Sequence, residues 1–188
     1  MSSAMQEWPR RHRITVDHYY RMADAGLFAP DERVELINGE IIDMRPMGSR
    51  HASALEQLLS DLKAALGAHA FVRPQLPLRL SDDSEPQPDI AVVVPRVDRY
   101  RKAHPGPSET LLVVEISQAT LRYDREVKVP LYARHGIAEA WVIDLGANRL
   151  HAFSSPRDGT YRVAETAALG SRLLVAVPGV TIDLAPLS

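Results

Sequence analysis

The chain has 188 residues, of which 45% are hydrophobic and 24% are charged, and its formal net charge is −2. This length and composition indicate a globular protein with a single sizeable core, and the weak net charge argues against a permanently bound nucleic-acid protein. The lack of cysteine excludes disulfides, thiolate zinc sites and cysteine nucleophiles, and the lack of any run of eighteen or more apolar residues excludes a membrane-spanning helix.

The N-terminal third predicts an arm, a helix and a hairpin. Residues 1–13 are predicted to be a flexible arm and residues 14–188 a single domain. The arm lacks the apolar segment of a secretory signal, so we expect a cytoplasmic protein. Thr15 is a suitable N-cap for a helix that ends at Gly26. The dipeptide Asn38-Gly39, flanked by alternating apolar residues, predicts a β-hairpin.

A second helix is predicted from Ser49 to Leu66, capped by Ser49 and ended by Gly67. Leucines at 55, 58, 59, 62 and 66 share one helical face. His51 lies one turn before the first of them, on the same inward face. Such a histidine is either a satisfied core residue or a side chain that approaches a site at the start of the helix.

The remainder of the chain predicts a sheet. Strand segments are AFVRPQLPLRL, DIAVVV, LLVVEIS, EAWVIDL, RLHAFSS, YRVAE and VAVPGVTIDL, with a helix from Thr120 to His135. LLVVEIS is apolar on both faces, which is typical of a central strand, whereas Pro74 and Pro77 indicate an edge or a bulge. We therefore predict one α/β domain with a mixed central sheet flanked by helices.

Two carboxylates and a lysine stand in three consecutive segments. Asp89 opens a strand after Pro88, and Glu115 lies inside LLVVEIS on the same face as Val113 and Ser117. A carboxylate in an apolar strand requires a partner, either a salt bridge or a metal ion. Taken singly, Asp89 can instead cap a turn, and Lys128 can form a surface pair with Asp124 one helical turn earlier.

Together these residues suggest metal-assisted phosphodiester cleavage. Asp89 and Glu115 would hold Mg²⁺, with Mn²⁺ as a substitute, through oxygen ligands and water. The ion would make a bound water more acidic and stabilise charge on the phosphate. Lys128 would orient the attacking water or neutralise the developing charge.

The loop RVDRYRKAH, between the two carboxylate strands, collects positive charge around an aromatic ring. It is either a phosphate-contacting element or a solvated loop. Its candidate nucleic-acid-binding residues are Arg96, Arg99, Arg101 and Lys102.

The segments RVELINGEIIDM, PQPDIAVV, LLVVEIS and DREVKVPLYARHGIAEAWVIDL carry a family resemblance that runs from Thr15 to Leu145. The chain resembles the Uma-type restriction endonuclease family of the PD-(D/E)XK nuclease superfamily. The resemblance implies a restriction-endonuclease-like fold and Mg²⁺-dependent cleavage of DNA. Two departures stand out: Ser117 occupies the usual lysine position, and the turn Ser117-Gln118-Ala119-Thr120 lacks the family's proline.

The resemblance also implies further site residues and an assembly. It places the lysine on the following helix, hence Lys128, and an acidic residue on an early element, hence Glu35, which can alternatively face solvent. Other residues that could support the site are His51, Gln75, whose carboxamide can orient water or phosphate, and Asp124. The superfamily implies a homodimer acting on DNA. The alternative is a catalytically inactive nuclease-fold interaction module.

Overall fold

The structure is a computed structural model that describes residues 11–187. Most of the predicted N-terminal arm, residues 1–10, lies outside the described residues. In chain order the elements are α1 (Val16–Asp24), β1 (Val34–Ile37), β2 (Glu40–Asp43), α2 (Ser49–Leu66), β3 (Phe71–Pro74), β4 (Ile90–Val93), β5 (Thr110–Ser117), α3 (Leu121–Tyr123), a π-helical turn (Asp124–Lys128), α4 (Val129–Arg134), β6 (Glu139–Asp144), β7 (Arg149–Arg157), β8 (Thr160–Ala168), β9 (Ser171–Leu173) and β10 (Thr181–Asp183).

Six strands form one mixed sheet in the order β3-β4-β5-β6-β7-β8. Strands β5 and β6 run parallel, with Glu115 opposite Val142, and the other neighbours in this sheet are antiparallel. The predicted central strand is indeed central, since β5 lies between β4 and β6. The proline-containing strand β3 is an edge strand, where a missing backbone N–H is tolerated.

The two faces of the sheet bury separate cores. The leucine face of helix α2 packs against even-numbered residues of β4 and β5 and against Trp141. On the opposite face Leu131 and Tyr132 of α4 pack against Val113 and other odd-numbered strand residues. Because side chains alternate along a strand, Glu115 faces the α4 side of the sheet, as its parity with Val113 requires.

The N-terminal elements follow their local sequence signals. The Thr15 hydroxyl accepts a hydrogen bond from the His18 amide at 3.2 Å and caps α1. Asn38 and Gly39 both adopt positive φ, 50° and 75°, which is the geometry of a type I′ turn between β1 and β2. An isolated antiparallel bridge joins Leu36 of this hairpin to Glu85, in the segment between β3 and β4.

Three local predictions need correction. Helix α2 begins at Ser49, so Gly48 and not Ser49 is the N-cap residue. The predicted helix from Thr120 to His135 is divided by the π-helical turn. The last predicted strand forms only β10, which pairs with the unpredicted β9. No helix within residues 11–187 is long and apolar enough to cross a membrane.

Candidate active site

A cleft of about 880 Å³ lies where β4 begins and β5 ends. The start of α2, the β1–β2 hairpin and the π-helical turn form its walls. The cleft brings together seven residues that the sequence predicts for the site: Glu35, His51, Gln75, Asp89, Glu115, Asp124 and Lys128. The hypothesis that Asp89, Glu115 and Lys128 share one site is therefore consistent with their placement.

Asp89 is held by donors from three elements. His51 Nε2 lies 3.0 Å from Asp89 Oδ1, and the Ile116 amide donates to Oδ2 at 2.7 Å. Gln75, in a left-handed conformation at φ 46°, donates from its backbone amide to the Asp89 backbone carbonyl at 3.0 Å and from its side-chain amide to Asp89 Oδ1 at 3.4 Å. Burial alone would raise the pKa of Asp89, but the His51 hydrogen bond and charge and the Ile116 amide bring it below its ordinary value. Asp89 is therefore an ionised carboxylate.

Glu115 is buried at the end of β5. The Tyr132 hydroxyl donates to Glu115 Oε1 at 2.5 Å, and no described residue donates to the other oxygen, Oε2. Burial raises the pKa of Glu115 well above its ordinary value, and the charges of Asp124 and Asp89 add to this rise while Lys128 opposes it. The carboxylate is thus held in an environment that favours its neutral form unless positive charge is supplied.

Lys128 supplies one positive charge to this cluster. Its Nζ lies 3.2 Å from Glu35 Oε2 and 3.3 Å from Glu115 Oε1, and all three side chains are at most 6% exposed. Burial lowers the pKa of Lys128, but four surrounding carboxylates raise it above its ordinary value. The structure thus contradicts a surface pair for Lys128 and a solvent-facing Glu35.

Asp124 accepts hydrogen bonds from two hydroxyls in the turn that follows β5. Its Oδ2 accepts hydrogen bonds from the hydroxyls of Ser117 at 2.6 Å and Thr120 at 2.7 Å. These bonds fix the turn from β5 into α3. Ser117, at the usual lysine position of the superfamily, is thus part of a structural hydrogen-bond network.

The π-helical turn sets the direction of Lys128. The Val129 amide bonds to the Asp124 carbonyl, five residues back. Pro130 has no N–H, so the Glu126 carbonyl has no α-helical partner there. A wider turn just before a proline accommodates this loss, and such turns are frequent at functional sites. The proline is the sequence signal from which the irregular turn was predictable.

The basic loop between β4 and β5 lies away from the cleft. It leaves the end of β4, whereas Asp89 precedes the start of that strand. Arg96 pairs with Asp98 and Glu109 and stacks on Tyr100, with 4.7 Å between its guanidinium and the ring centroid. None of Arg96, Arg99, Arg101 and Lys102 lines the cleft. Their binding to nucleic acid stays a prediction, and the structure separates it from the carboxylate site.

Sequence reasoning missed several residues that do line the cleft or support it. Arg33 and Arg45 are exposed on its walls and form no ion pair with another described residue. Tyr132 holds Glu115, and Tyr123 lines the cleft beside Lys128. The signal for Arg33 was its position two residues before Glu35 on the same strand face.

The donor set suits a magnesium-like ion with few protein ligands. Among the described residues, no three His, Cys, Asp or Glu side chains are grouped to hold a metal ion. Mg²⁺, however, is usually bound through one or two carboxylates, with water and substrate phosphate completing its shell. Asp89 and the free Oε2 of Glu115 offer such hard oxygen ligands, and the surrounding excess of negative charge favours a cation.

Comparisons with known proteins concern both sequence and fold. The Uma2 family profile, described as "Putative restriction endonuclease", matches residues 16–185. A crystal structure described as "a putative nuclease belonging to DUF820 from Anabaena variabilis ATCC 29413" has a TM-score of 0.70, covers 93% of this chain and 97% of that chain, and is 19% identical. At that identity the likeness shows the fold alone, and it confirms the predicted mixed α/β class. No curated protein matches the sequence.

Proposed function

The chain belongs to the Uma2 family, which confirms the resemblance predicted from its motifs, and on that premise we propose that it is a metal-dependent endonuclease that hydrolyses DNA phosphodiester bonds. The observation that carries the proposal is the meeting of Asp89, Glu115 and Lys128 in one cleft, with both carboxylates shielded from bulk water. Ionisable groups that lie in a cleft and have pKa values shifted by burial and by a charged partner are candidates for a functional site.

Asp89 and Glu115 would hold the divalent ion. When bound, Mg²⁺ or Mn²⁺ supplies positive charge that stabilises the transition state and makes a nearby water a better nucleophile. His51 and the Ile116 amide keep Asp89 ionised and oriented, and Tyr132 orients Glu115.

Lys128 contributes charge at the reacting phosphate. In hydrolysis a water oxygen loses a proton and forms a bond to phosphorus, while the bond to the leaving oxygen breaks and that oxygen takes up a proton. Negative charge increases on the phosphate in this step, and a buried ammonium beside Glu115 offsets it in a site where water does not screen the interaction.

DNA as the substrate is supported by the cations on the cleft walls. Arg33 and Arg45 are exposed and unpaired among the described residues, so they can bind backbone phosphates on either side of the reacting one. A net charge of −2 fits an enzyme that meets DNA through such a local patch. Cleavage of both strands would use two copies of the site, so we also propose a homodimer, which sedimentation analysis checks.

Plasmid cleavage tests the proposal. The parent should convert supercoiled DNA to nicked or linear forms with Mg²⁺ or Mn²⁺, and a chelator should stop the reaction. Asp89→Asn and Glu115→Gln should each lower the rate by about 100-fold or more. Glu139→Gln is the matched control, because Glu139 is an equally buried strand carboxylate that binds Trp141 outside the cleft. Cleavage that persists at the parental rate in both site variants indicates a contaminating nuclease and refutes the assignment.

A second candidate is an inactive interaction module that keeps the nuclease fold. Ser117 favours it, because the position where the superfamily usually carries lysine here donates to Asp124. Calorimetric titration with Mn²⁺ distinguishes the two. A folded parent that binds no Mn²⁺ and cuts no DNA supports the module, whereas Mn²⁺ binding that is lost in Asp89→Asn supports the enzyme.

A further inference from the structure

Within the part of the chain that the structure describes, one hydroxyl at the cleft makes no hydrogen bond. Four buried side-chain nitrogen or oxygen atoms in residues 11–187 make no hydrogen bond: Arg73 Nε, His104 Nδ1, Tyr123 Oη and Arg172 Nε. Of these, only Tyr123 lines the cleft. Burying a hydroxyl without a partner costs free energy, and native structures rarely leave such a group unpaired without a functional reason.

The position of Tyr123 brings this hydroxyl close to the site. Tyr123 ends α3, directly before the π-helical turn that carries Asp124 and Lys128. The charges of Glu35, Lys128, Glu115 and Asp124 all act on it. Burial first, and Glu35 second, raise the pKa of Tyr123, so the phenol keeps its proton and is a donor under all ordinary conditions.

One oxygen of each nearby carboxylate already has its donors. Glu115 Oε1 is occupied by Tyr132 and Lys128, and Asp124 Oδ2 by two hydroxyls. Glu35 Oε2 accepts from the Gln87 amide at 3.0 Å and faces Lys128. The Tyr123 hydroxyl makes no hydrogen bond to any oxygen of these three carboxylates.

A phosphodiester would supply a hydrogen-bond acceptor for the Tyr123 hydroxyl, because its non-bridging oxygens only accept hydrogen bonds. We propose that Tyr123 is a catalytic residue whose hydroxyl donates a hydrogen bond to a non-bridging oxygen of the reacting phosphate. This role rests on the proposed endonuclease function. The donor is already desolvated and positioned before the substrate arrives, so its bond strengthens as negative charge increases in the transition state. Tyr123 forms no covalent bond and transfers no proton.

Tyr123→Phe removes only the hydroxyl, and Tyr161→Phe is its matched control. The Tyr161 hydroxyl donates to the Ile137 carbonyl at 2.9 Å and lies outside the cleft. Tyr161→Phe should lower the melting temperature by about 2–4 °C, since it breaks a satisfied hydrogen bond. Tyr123→Phe should leave the melting temperature unchanged or raise it. A loss equal to that of Tyr161→Phe would show that the Tyr123 hydroxyl has a structural partner, and it would overturn the proposal.

Cleavage of a short DNA duplex completes the test. Tyr123→Phe should reduce kcat on the order of 100-fold with Mn²⁺ affinity unchanged, while Tyr161→Phe should cut like the parent. A phosphorothioate at the cleaved linkage should slow the parent more than it slows Tyr123→Phe for one of the two diastereomers. An active parent whose Tyr123→Phe variant keeps the full rate refutes the role of Tyr123, whereas an inactive parent refutes the endonuclease proposal itself.

Discussion

Replacing Lys128 by methionine should strongly destabilise the fold at neutral pH. Methionine keeps most of the side-chain volume but removes the charge that faces both Glu35 and Glu115. At an effective dielectric constant of about 20, a charge pair 3.3 Å apart attracts by roughly 5 kcal/mol. Each carboxylate can take up a proton once the lysine is gone, which limits the loss. We therefore expect Lys128→Met to lower the free energy of unfolding by about 3–5 kcal/mol at pH 7.

The measurement is urea unfolding followed by circular dichroism, with a chelator present. The loss should be smaller at pH 5, where the unpaired carboxylates are protonated at lower cost. Adding Glu35→Gln to Lys128→Met should recover part of the stability, because one buried charge is removed. Lys63→Met, an exposed lysine on α2, should cost less than about 1 kcal/mol. A Lys128→Met loss no larger than that control, and independent of pH, would refute the buried three-residue ion cluster.

Three further predictions concern pH, metal affinity and DNA binding. Burial raises the pKa of Glu115 above its ordinary 4.5, so the contribution of Glu115 to stability should decrease as pH rises above 4.5. The free energies of unfolding of the metal-free parent and of Glu115→Gln, measured across pH, report this decrease. A difference between the two proteins that does not change with pH contradicts it. His51→Ala should weaken Mn²⁺ binding about 10–100-fold by calorimetry, since Asp89 loses its strongest side-chain donor, and unchanged affinity would remove His51 from the site. Arg45→Ala should weaken DNA binding and reduce the slope of log K against log salt concentration by about 1, as measured by fluorescence anisotropy. Arg99→Ala should change neither. A larger effect of Arg99→Ala would place the DNA on the loop between β4 and β5.

Local patterns in the sequence were sufficient to predict most elements and the central pair of carboxylates. Strand parity placed Glu115 on the face of Val113, and the helical spacing of the α2 leucines directed His51 inward. The Asn38-Gly39 turn specified the hairpin through backbone geometry alone. These features depend on residues that are close together in the chain, so one sequence is enough to predict them.

Features that depend on distant contacts were harder to predict. Glu35 lies on β1, whose four residues are all buried, and its partner Lys128 is 93 positions later in the chain. The basic loop is a candidate phosphate-contacting element in the sequence because it joins the two carboxylate strands. Antiparallel pairing of β4 and β5 places Asp89 and Glu115 at one end and that loop at the other. The strand pairing, rather than the composition of the loop, decides its distance from the site.

The endonuclease proposal requires that Asp89 and Glu115 together hold a divalent ion in the cleft. Anomalous X-ray scattering at the manganese edge, from a crystal soaked in Mn²⁺ alone, tests it most directly. We expect an anomalous peak within coordination distance of Asp89 and of Glu115 Oε2, and we expect it to be absent in an identically soaked Asp89→Asn crystal. A well-ordered cleft with no peak, in which Lys128 still joins Glu35 and Glu115, would contradict the claim and leave a structural ion cluster in its place.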